Sequence, residues 1–504
     1  MSLRGKRVLI VQQRNWGVGI GHYLAKKLVG EECALAAVTY KKSAHQFHLQ
    51  QTDVKYEMLI NNDAVFEEPD MYVSGTPASL EEITKALGID SIWPLVAGSR
   101  EITRSYAEKF YYNGRKQMSD EEIIRYVQGV YAYVKKIFDE FKPDAVIAPL
   151  LAEPSHVMVY HMARARGVRS LCAVDSRVNG VWILSESPHE DTGAFHERID
   201  ELNGGAKSDN AERAKKYIAE FRETFKVPGY IERRWRKPPL LKQARMELAP
   251  LRRIWEWYTR AHTDCIATLG PSLDCRPPRI ILRDYFTKKL WSRAARNFPY
   301  YSAKGVGKYV YYPLQVEPEV TLDVFALHFK NQRELARIIA LSLPADYTLV
   351  VKDHPDMQGL RSPEYLKDLA GTPNIKLVDY RISSEELIKG ASLVTAPNST
   401  AMVEAAMYHI PVIQFGEEGI ILKLPNVVKH TDFSTLAGRI NEQLRADLKT
   451  SEYERRLLNF VSAAFDTGFE LDYVAAWEDA KENEREKIWN MYRAGLSRIL
   501  SKRG

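Results

Sequence analysis

Three times between residues 310 and 416 an apolar run stops at a polar cluster: VYYPLQVEPEV, YTLVVKDHP and SLVTAPNSTAMVEAAMYHIPVIQFG. A short apolar run, a turn and then a helical stretch form the repeating unit of a parallel α/β sheet. In an open parallel sheet, ligands bind beyond the carboxyl ends of the strands. The three segments therefore aim Gln315, Glu317, Glu319, His354, Asn398, Ser399 and Thr400 at one crevice. In the third, residues 392–396 are apolar, residues 397–400 make a turn with helix-capping side chains, and residues 401–408 favour a helix. Unpaired N–H groups and the dipole at such a helix start suit an anion, although Asn398 or Ser399 capping the helix is the plainer reading.

The same alternation runs through the first third of the chain. Strand signals at residues 6–12, 35–39, 144–148 and 170–174 are separated by helical signals at 23–28, 121–141 and 156–166. Within residues 121–141, Ile124, Val127, Val130, Val134 and Phe138 recur at helical spacing and predict one buried face. A second unit spans strand signals at 309–312, 347–352 and 375–378, with helices at 331–342 and 384–389. At 504 residues the chain exceeds one ordinary core and is expected to form two domains. The expected division is an α/β domain over residues 1–185, a flexible junction and basic Trp-rich helical connector over 186–300, a second α/β domain over 301–430, and C-terminal helices over 431–504. The junction is placed on the polar stretch around Asn203-Gly204-Gly205. Residues 477–492 are expected to cross back to the first domain.

Hydrophobic content of 45% and charged content of 27% fit a water-soluble protein, and no apolar run reaches the ~18 residues of a membrane-spanning helix. The start MSLRGKRVLIVQQ enters a strand with no apolar leader. Cys33, Cys172, Cys265 and Cys275 form no C-x-x-C pair, so neither a zinc site nor a disulfide framework is expected, in keeping with a reducing cytosol. The net charge of +6 is unevenly placed: residues 231–300 hold 16 Lys/Arg against 6 Asp/Glu. There Trp235, Trp255, Trp257 and Trp291 are interleaved with Arg233, Arg234, Arg236, Arg252, Arg253 and Arg260. Such a stretch suits peripheral contact with an anionic membrane or a solvated connector. Nucleic acid is not expected, because no recognition motif accompanies the charge.

The order PLQ-x-EPE, K-D-H-P and P-N-S-T-A-x-x-E-A resembles bacterial capsule and surface-carbohydrate biosynthesis proteins. That group includes Kdo transferases of GT-B architecture, with two Rossmann-like domains whose parallel sheets face a central cleft. The His-Pro pair followed by a Ser/Thr turn is also similar to GT-B sialyltransferases and polyol-phosphate transferases, which hold a cytidine nucleotide with both elements. Gln315 stands where a His is expected, Asp353 where a Glu is expected, and Pro-Asn-Ser-Thr where relatives often have Thr-Gly-Thr. The resemblance implies a glycosyltransferase that moves a sugar, such as Kdo or another CMP-activated acidic sugar, from a nucleotide donor to a surface polysaccharide or glycolipid. A nucleotide-sugar 2-epimerase shares the doubled layout, and a non-catalytic assembly factor is the remaining reading.

Each candidate residue has its chemistry. His354 ends a strand before Pro355, which fixes the chain direction; its imidazole can hydrogen-bond a departing phosphate. Lys352 either adds positive charge there or points outward. Glu317 and Glu319, at i and i+2 around Pro318, are expected on one side of an extended strand, where two carboxylates repel unless one binds hydroxyls. Glu404, one turn after Thr400, is placed to accept from a ribose. Across the cleft, Glu153 and Asp175 are strand-end carboxylates suited to act as base or nucleophile. The run Asn15-Trp16-Gly17-Val18-Gly19-Ile20-Gly21-His22 follows the first strand. It resembles the glycine loop that faces the acceptor in GT-B enzymes, and no acidic ribose partner follows it, which argues against a nicotinamide or flavin site. Arg100 is a candidate for holding a carboxylate or phosphate of the acceptor. No Asp-x-Asp occurs in the chain, and neither a metal nor another cofactor is expected.

Overall fold

In the computed structural model, described for residues 2–99, 102, 118–149, 153–187, 189–225, 239–259, 264–270 and 275–502, thirteen strands build two sheets. The first has seven strands in the order β13-β6-β5-β4-β1-β2-β3. Here β1 is Arg7–Gln12, β2 Ala34–Thr39, β3 Met58–Asn61, β4 Ala145–Ile147, β5 Arg169–Asp175, β6 Val181–Ser185 and β13 Phe469–Glu470. The strands from β3 to β5 are parallel, while β6 and β13 are antiparallel. The second sheet is wholly parallel, in the order β12-β11-β10-β7-β8-β9. Its strands are β7 Tyr309–Pro313, β8 Thr348–Lys352, β9 Ile375–Val378, β10 Leu393–Ala396, β11 Val412–Gln414 and β12 Val427–Lys429. Both sheets are covered by helices, and the doubled layout is GT-B-like. Among the described residues no helix is long and apolar enough to cross a membrane.

Strand order reverses between β1 and β4 in the first sheet and between β7 and β10 in the second. These switch points open the crevices in which such sheets bind ligands. Strands buried on both faces need continuous apolar side chains, and VLIV in β1 and LVV in β8 supply them. The helix Asp120–Lys136 begins with a capping box between Ser119 and Glu122 and buries Ile123, Tyr126, Val127, Val130 and Val134.

Residues 186–223 are not the loose junction that their polarity predicts. Helices Ala194–Asn203 and Ala211–Glu223 turn Phe195, Ile199, Leu202, Ala214, Ile218 and Phe221 into the second lobe's core. They pack against the helix Ser451–Thr467, and Arg198 clamps Asp466 at 2.8 Å. The last helix is Glu482–Ser501, and Trp477 closes a separate short helix, Tyr473–Trp477. Ile488, Met491, Tyr492, Leu496 and Ile499 of the last helix join the core under β1, β4 and β5 of the first lobe. The expectation of no disulfide is also corrected: Cys265 and Cys275 are bonded, with Cα atoms 5.3 Å apart. They are separated by ten positions in sequence, a spacing that motif reading does not flag.

Candidate active site

At the second switch point the main chain beyond β7 is pinned from two sides. Gln332 accepts from the Gln315 amide at 2.6 Å and donates to its carbonyl at 3.2 Å, and Arg361 Nη2 donates to the same carbonyl at 2.5 Å. Arg361 Nε also donates to Asp353 at the end of β8, 2.8 Å away. The guanidinium is fully buried, and the carboxylates of Asp353 and Glu317 beside it keep it charged. The Gln315 side chain, 7% exposed, leaves both its Nε2 and Oε1 without a partner among the described residues. A buried amide in that state has lost water without replacement, so the crevice offers a donor and an acceptor to a ligand.

Next to it, His354 Nδ1 accepts from the Asp356 amide at 3.1 Å. An accepting Nδ1 puts the proton of the neutral ring on Nε2, at a strand end. Beyond β10, Ser399 is the N-cap of the helix Thr400–Met407 and accepts from the Ala401 amide at 3.2 Å. Thr400 is exposed at that helix start. One turn in, burial lifts the Glu404 carboxyl to about 7 against the pull of Lys352. Burial likewise lowers the Lys352 ammonium to about 8 against the pull of Glu404 and Asp353. Burial outweighs their attraction, and both groups lean toward neutrality.

Several expected contacts fall elsewhere. Lys352 points inward, its ammonium donating to the Ile382 carbonyl at 3.0 Å and to Ser384 Oγ at 2.7 Å. Asn398 is not the helix cap: its amide donates to the Thr321 carbonyl at 2.7 Å and accepts from Gln414 at 2.8 Å and the Glu418 amide at 3.2 Å. It braces the loops over the crevice. Glu317 and Glu319 do not share a face, because β7 ends at Pro313. Glu317 turns in to Arg361 and Gln332, while Glu319 is exposed and accepts from the Thr321 hydroxyl.

The glycine run is wound into helix rather than open loop: Gly17–Gly21 forms a wide helical turn leading into His22–Gly30. None of the three glycines has a positive φ. A Cβ on Gly17 would lie 2.6 Å from the Gln12 carbonyl carbon, and one on Gly21 would collide with the Gln12 side chain. Those glycines let the helix press onto β1. Gly19 faces Trp477 and Arg485 of the C-terminal segment. His22 stacks edgewise on Phe47 and lies 3.8 Å from Asp53, and burial lowers its pKa. Gly17 and Gly21 thus serve close packing on β1. Arg100 lies outside the described residues, as do Arg233, Arg234, Trp235, Arg236 and Arg260.

In the first lobe, Glu153 is the N-cap residue of the helix Pro154–Ala165; its carboxylate accepts from Ser99 at 3.1 Å, with Arg14 just after β1 3.6 Å away. It lines a cleft of about 390 Å³ with Asp90, Tyr160, His161 and His189, closed on the far side by Val324 and Leu327 of the second lobe. Asp175 does not line this cleft. Its carboxyl accepts from the Arg177 amide at 2.8 Å, and burial raises its pKa. Arg177 reaches across to Glu418 of the second lobe and lies 3.9 Å from Glu190. Glu190, buried beside Glu418, is pushed up to about 8 despite Arg177. The lobes also meet where the Gly419 amide donates to the His189 carbonyl at 2.7 Å. Sequence reasoning missed Arg361, Gln332, Arg14, Arg177, Glu190 and Glu418. Only the position of Arg361 shortly after a strand end hinted at a role.

Residues 282–419, which span the crevice beyond β7, β8 and β10, match the family model of capsule polysaccharide biosynthesis proteins. No curated protein matches. Among solved structures, the β-Kdo 2,7-transferase KpsC of Thermosulfurimonas dismutans aligns at 12% identity and TM-score 0.35, covering 75% of this chain and 91% of that one. The calicheamicin glycosyltransferase CalG4 aligns at 11% identity and TM-score 0.27, covering 98% and 99%. A UDP-GlcNAc 2-epimerase of Methanocaldococcus jannaschii aligns at 10% identity and TM-score 0.26, covering 92% and 98%. Likenesses this weak carry no weight for activity.

Proposed function

We propose that this chain is a glycosyltransferase that moves a sugar, with Kdo or another CMP-activated acidic sugar as the leading candidate, from a nucleotide donor to a surface polysaccharide or glycolipid. The observation that carries this reading is the pairing at the second switch point of a pinned Gln315 whose buried side chain lacks partners with a His354 whose proton is fixed on Nε2. The family match over residues 282–419 supports it. In this reading the donor phosphate lies between His354 Nε2–H and the start of the helix Thr400–Met407, whose amides and dipole favour an anion. Glu404 accepts from the ribose.

The acceptor enters the cleft beside Glu153. In an inverting reaction the Glu153 carboxylate takes the acceptor hydroxyl's proton, that oxygen bonds the anomeric carbon, and the bond from that carbon to the phosphate oxygen breaks. In a retaining reaction the same carboxylate attacks first. His354 donates to the phosphate oxygen as its charge grows. Protein groups supply this stabilisation, and we propose that transfer needs no metal.

The test incubates the full chain with CMP-, UDP- and GDP-sugars, with and without a glycolipid acceptor, and repeats the active pair with a chelator. Sugar transfer that needs the acceptor and survives the chelator is expected. A sugar altered without acceptor makes the protein a 2-epimerase. Activity lost with chelator and restored by magnesium overturns the metal-free reading.

A further inference from the structure

The helix Pro278–Arg296 turns Ile280, Ile281 and Ala295 inward and backs onto Gly359, where an added Cβ would meet the Lys288 carbonyl at 2.7 Å. Gly359 follows the His354–Met357 turn closely, so the helix lies against the segment that leaves the end of β8. Its outer side carries Leu282, Phe286 and Leu290, spaced i, i+4, i+8 and all exposed. The helix Ala249–Thr259 lies alongside, with Leu251, Trp255 and Tyr258 exposed at i, i+4 and i+7. Tyr285 and Lys289 tie the long helix to the preceding helix Leu240–Glu247 by donating to Glu247 at 2.7 and 2.6 Å. Leu240, Leu241, Met246 and Leu248 extend the apolar surface, and Phe286 and Leu290 are 62% and 66% exposed.

Cations rim it. The helices Leu240–Glu247, Ala249–Thr259 and Pro278–Arg296 together hold ten Lys/Arg against three Asp/Glu. Arg245, Arg252, Arg279, Lys288, Arg293 and Arg296 are all exposed.

We propose that this face docks on an anionic lipid bilayer. An aromatic and aliphatic stripe bordered by Lys and Arg is the form of an interfacial helix, whose apolar side enters the headgroup boundary while its cations meet acidic lipid. The surplus of seven positive charges also selects the occupant, because the same face on a second copy would repel it. Docking here sets the cleft at the membrane surface and does not depend on the donor reading.

The test is co-sedimentation of the full chain with phosphatidylcholine vesicles, with and without a phosphatidylglycerol fraction, across a salt series. Binding that requires phosphatidylglycerol and weakens as salt rises is expected. The combined variant L251S/W255S/F286S/L290S, changed only at exposed positions, should bind about tenfold or more weakly with an unchanged melting temperature. Equal binding to neutral vesicles, binding to neither, or full binding by the variant overturns the proposal. So does self-association of the wild type that the variant abolishes, which would make the face a contact between copies.

Discussion

Arg361 Nε donates to Asp353 Oδ1 at 2.8 Å, joining a buried guanidinium to the residue just before His354. The same guanidinium holds the Gln315 carbonyl and the Glu317 carboxylate. It thus sets the spacing of the β7 and β8 ends on which the donor reading rests.

Replacing Arg361 with Met leaves Asp353 and Glu317 buried without their cation. Loss of one partner from a buried ion pair costs ~3–5 kcal/mol. A drop of that size in unfolding free energy is expected from a denaturant titration, with nucleotide binding lost as well. An unchanged midpoint would show that the clamp is not needed.

The glycine run separates packing from ligand contact. Gly17→Ala drives a methyl into the Gln12 backbone and should destabilise by ~1–3 kcal/mol. Gly19→Ala meets Trp477 at 3.6 Å and Arg485 at 4.0 Å, both ordinary contacts, and should be neutral or stabilising by up to ~1 kcal/mol. Melting curves of the two variants check this. Comparable loss in both, or acceptor binding lost in Gly19→Ala alone, would restore the loop to a site.

The strands were legible because each is a short apolar run ending in polar residues, as TLVVK ends at Asp353-His354. The helix Asp120–Lys136 was legible through the helical spacing of its apolar residues. Helices at 194–223 were obscured because few apolar residues sit among many charges, and only packing against Phe460 and Leu457 shows their inner face. The glycines misled because glycine density suggests a loop equally when glycines serve close helix packing. At the candidate site, His354 and Ser399 announce themselves at element ends. Gln332, Arg361 and the Arg177–Glu418 contact join residues distant in sequence, and no local window carries such pairings.

The lobe contact predicts a pH dependence. Burial and Glu418 hold the Glu190 carboxyl up to about 8, against 4.5 when unfolded. Between those values the folded chain keeps a proton that the unfolded chain has released, so this group lowers stability as pH rises. Glu190→Gln should match wild type below pH 4.5 and be more stable than it above pH 8. Melting temperatures across that range decide it, and a constant difference at all pH values would contradict the assignment.

If His354 stabilises the leaving phosphate, its removal acts on the transition state more than on donor binding. His354→Ala should lower kcat by ~10²–10³ with a smaller change in donor affinity. His354→Gln, which retains a donor, should fall between. Steady-state kinetics check both, and normal turnover in His354→Ala would remove the residue from the mechanism.

The central claim is that a nucleotide occupies the crevice between β7 and β10. Thermal unfolding of the full chain with CMP, CDP, UDP and GDP tests it most directly. A nucleotide at ~100 times its Kd should stabilise the chain by ~2.7 kcal/mol. Gln315→Ala and His354→Ala should each reduce that shift while leaving ligand-free stability within ~1 kcal/mol of wild type. Stabilisation by none of the four, or an equal shift in both variants, would contradict the account.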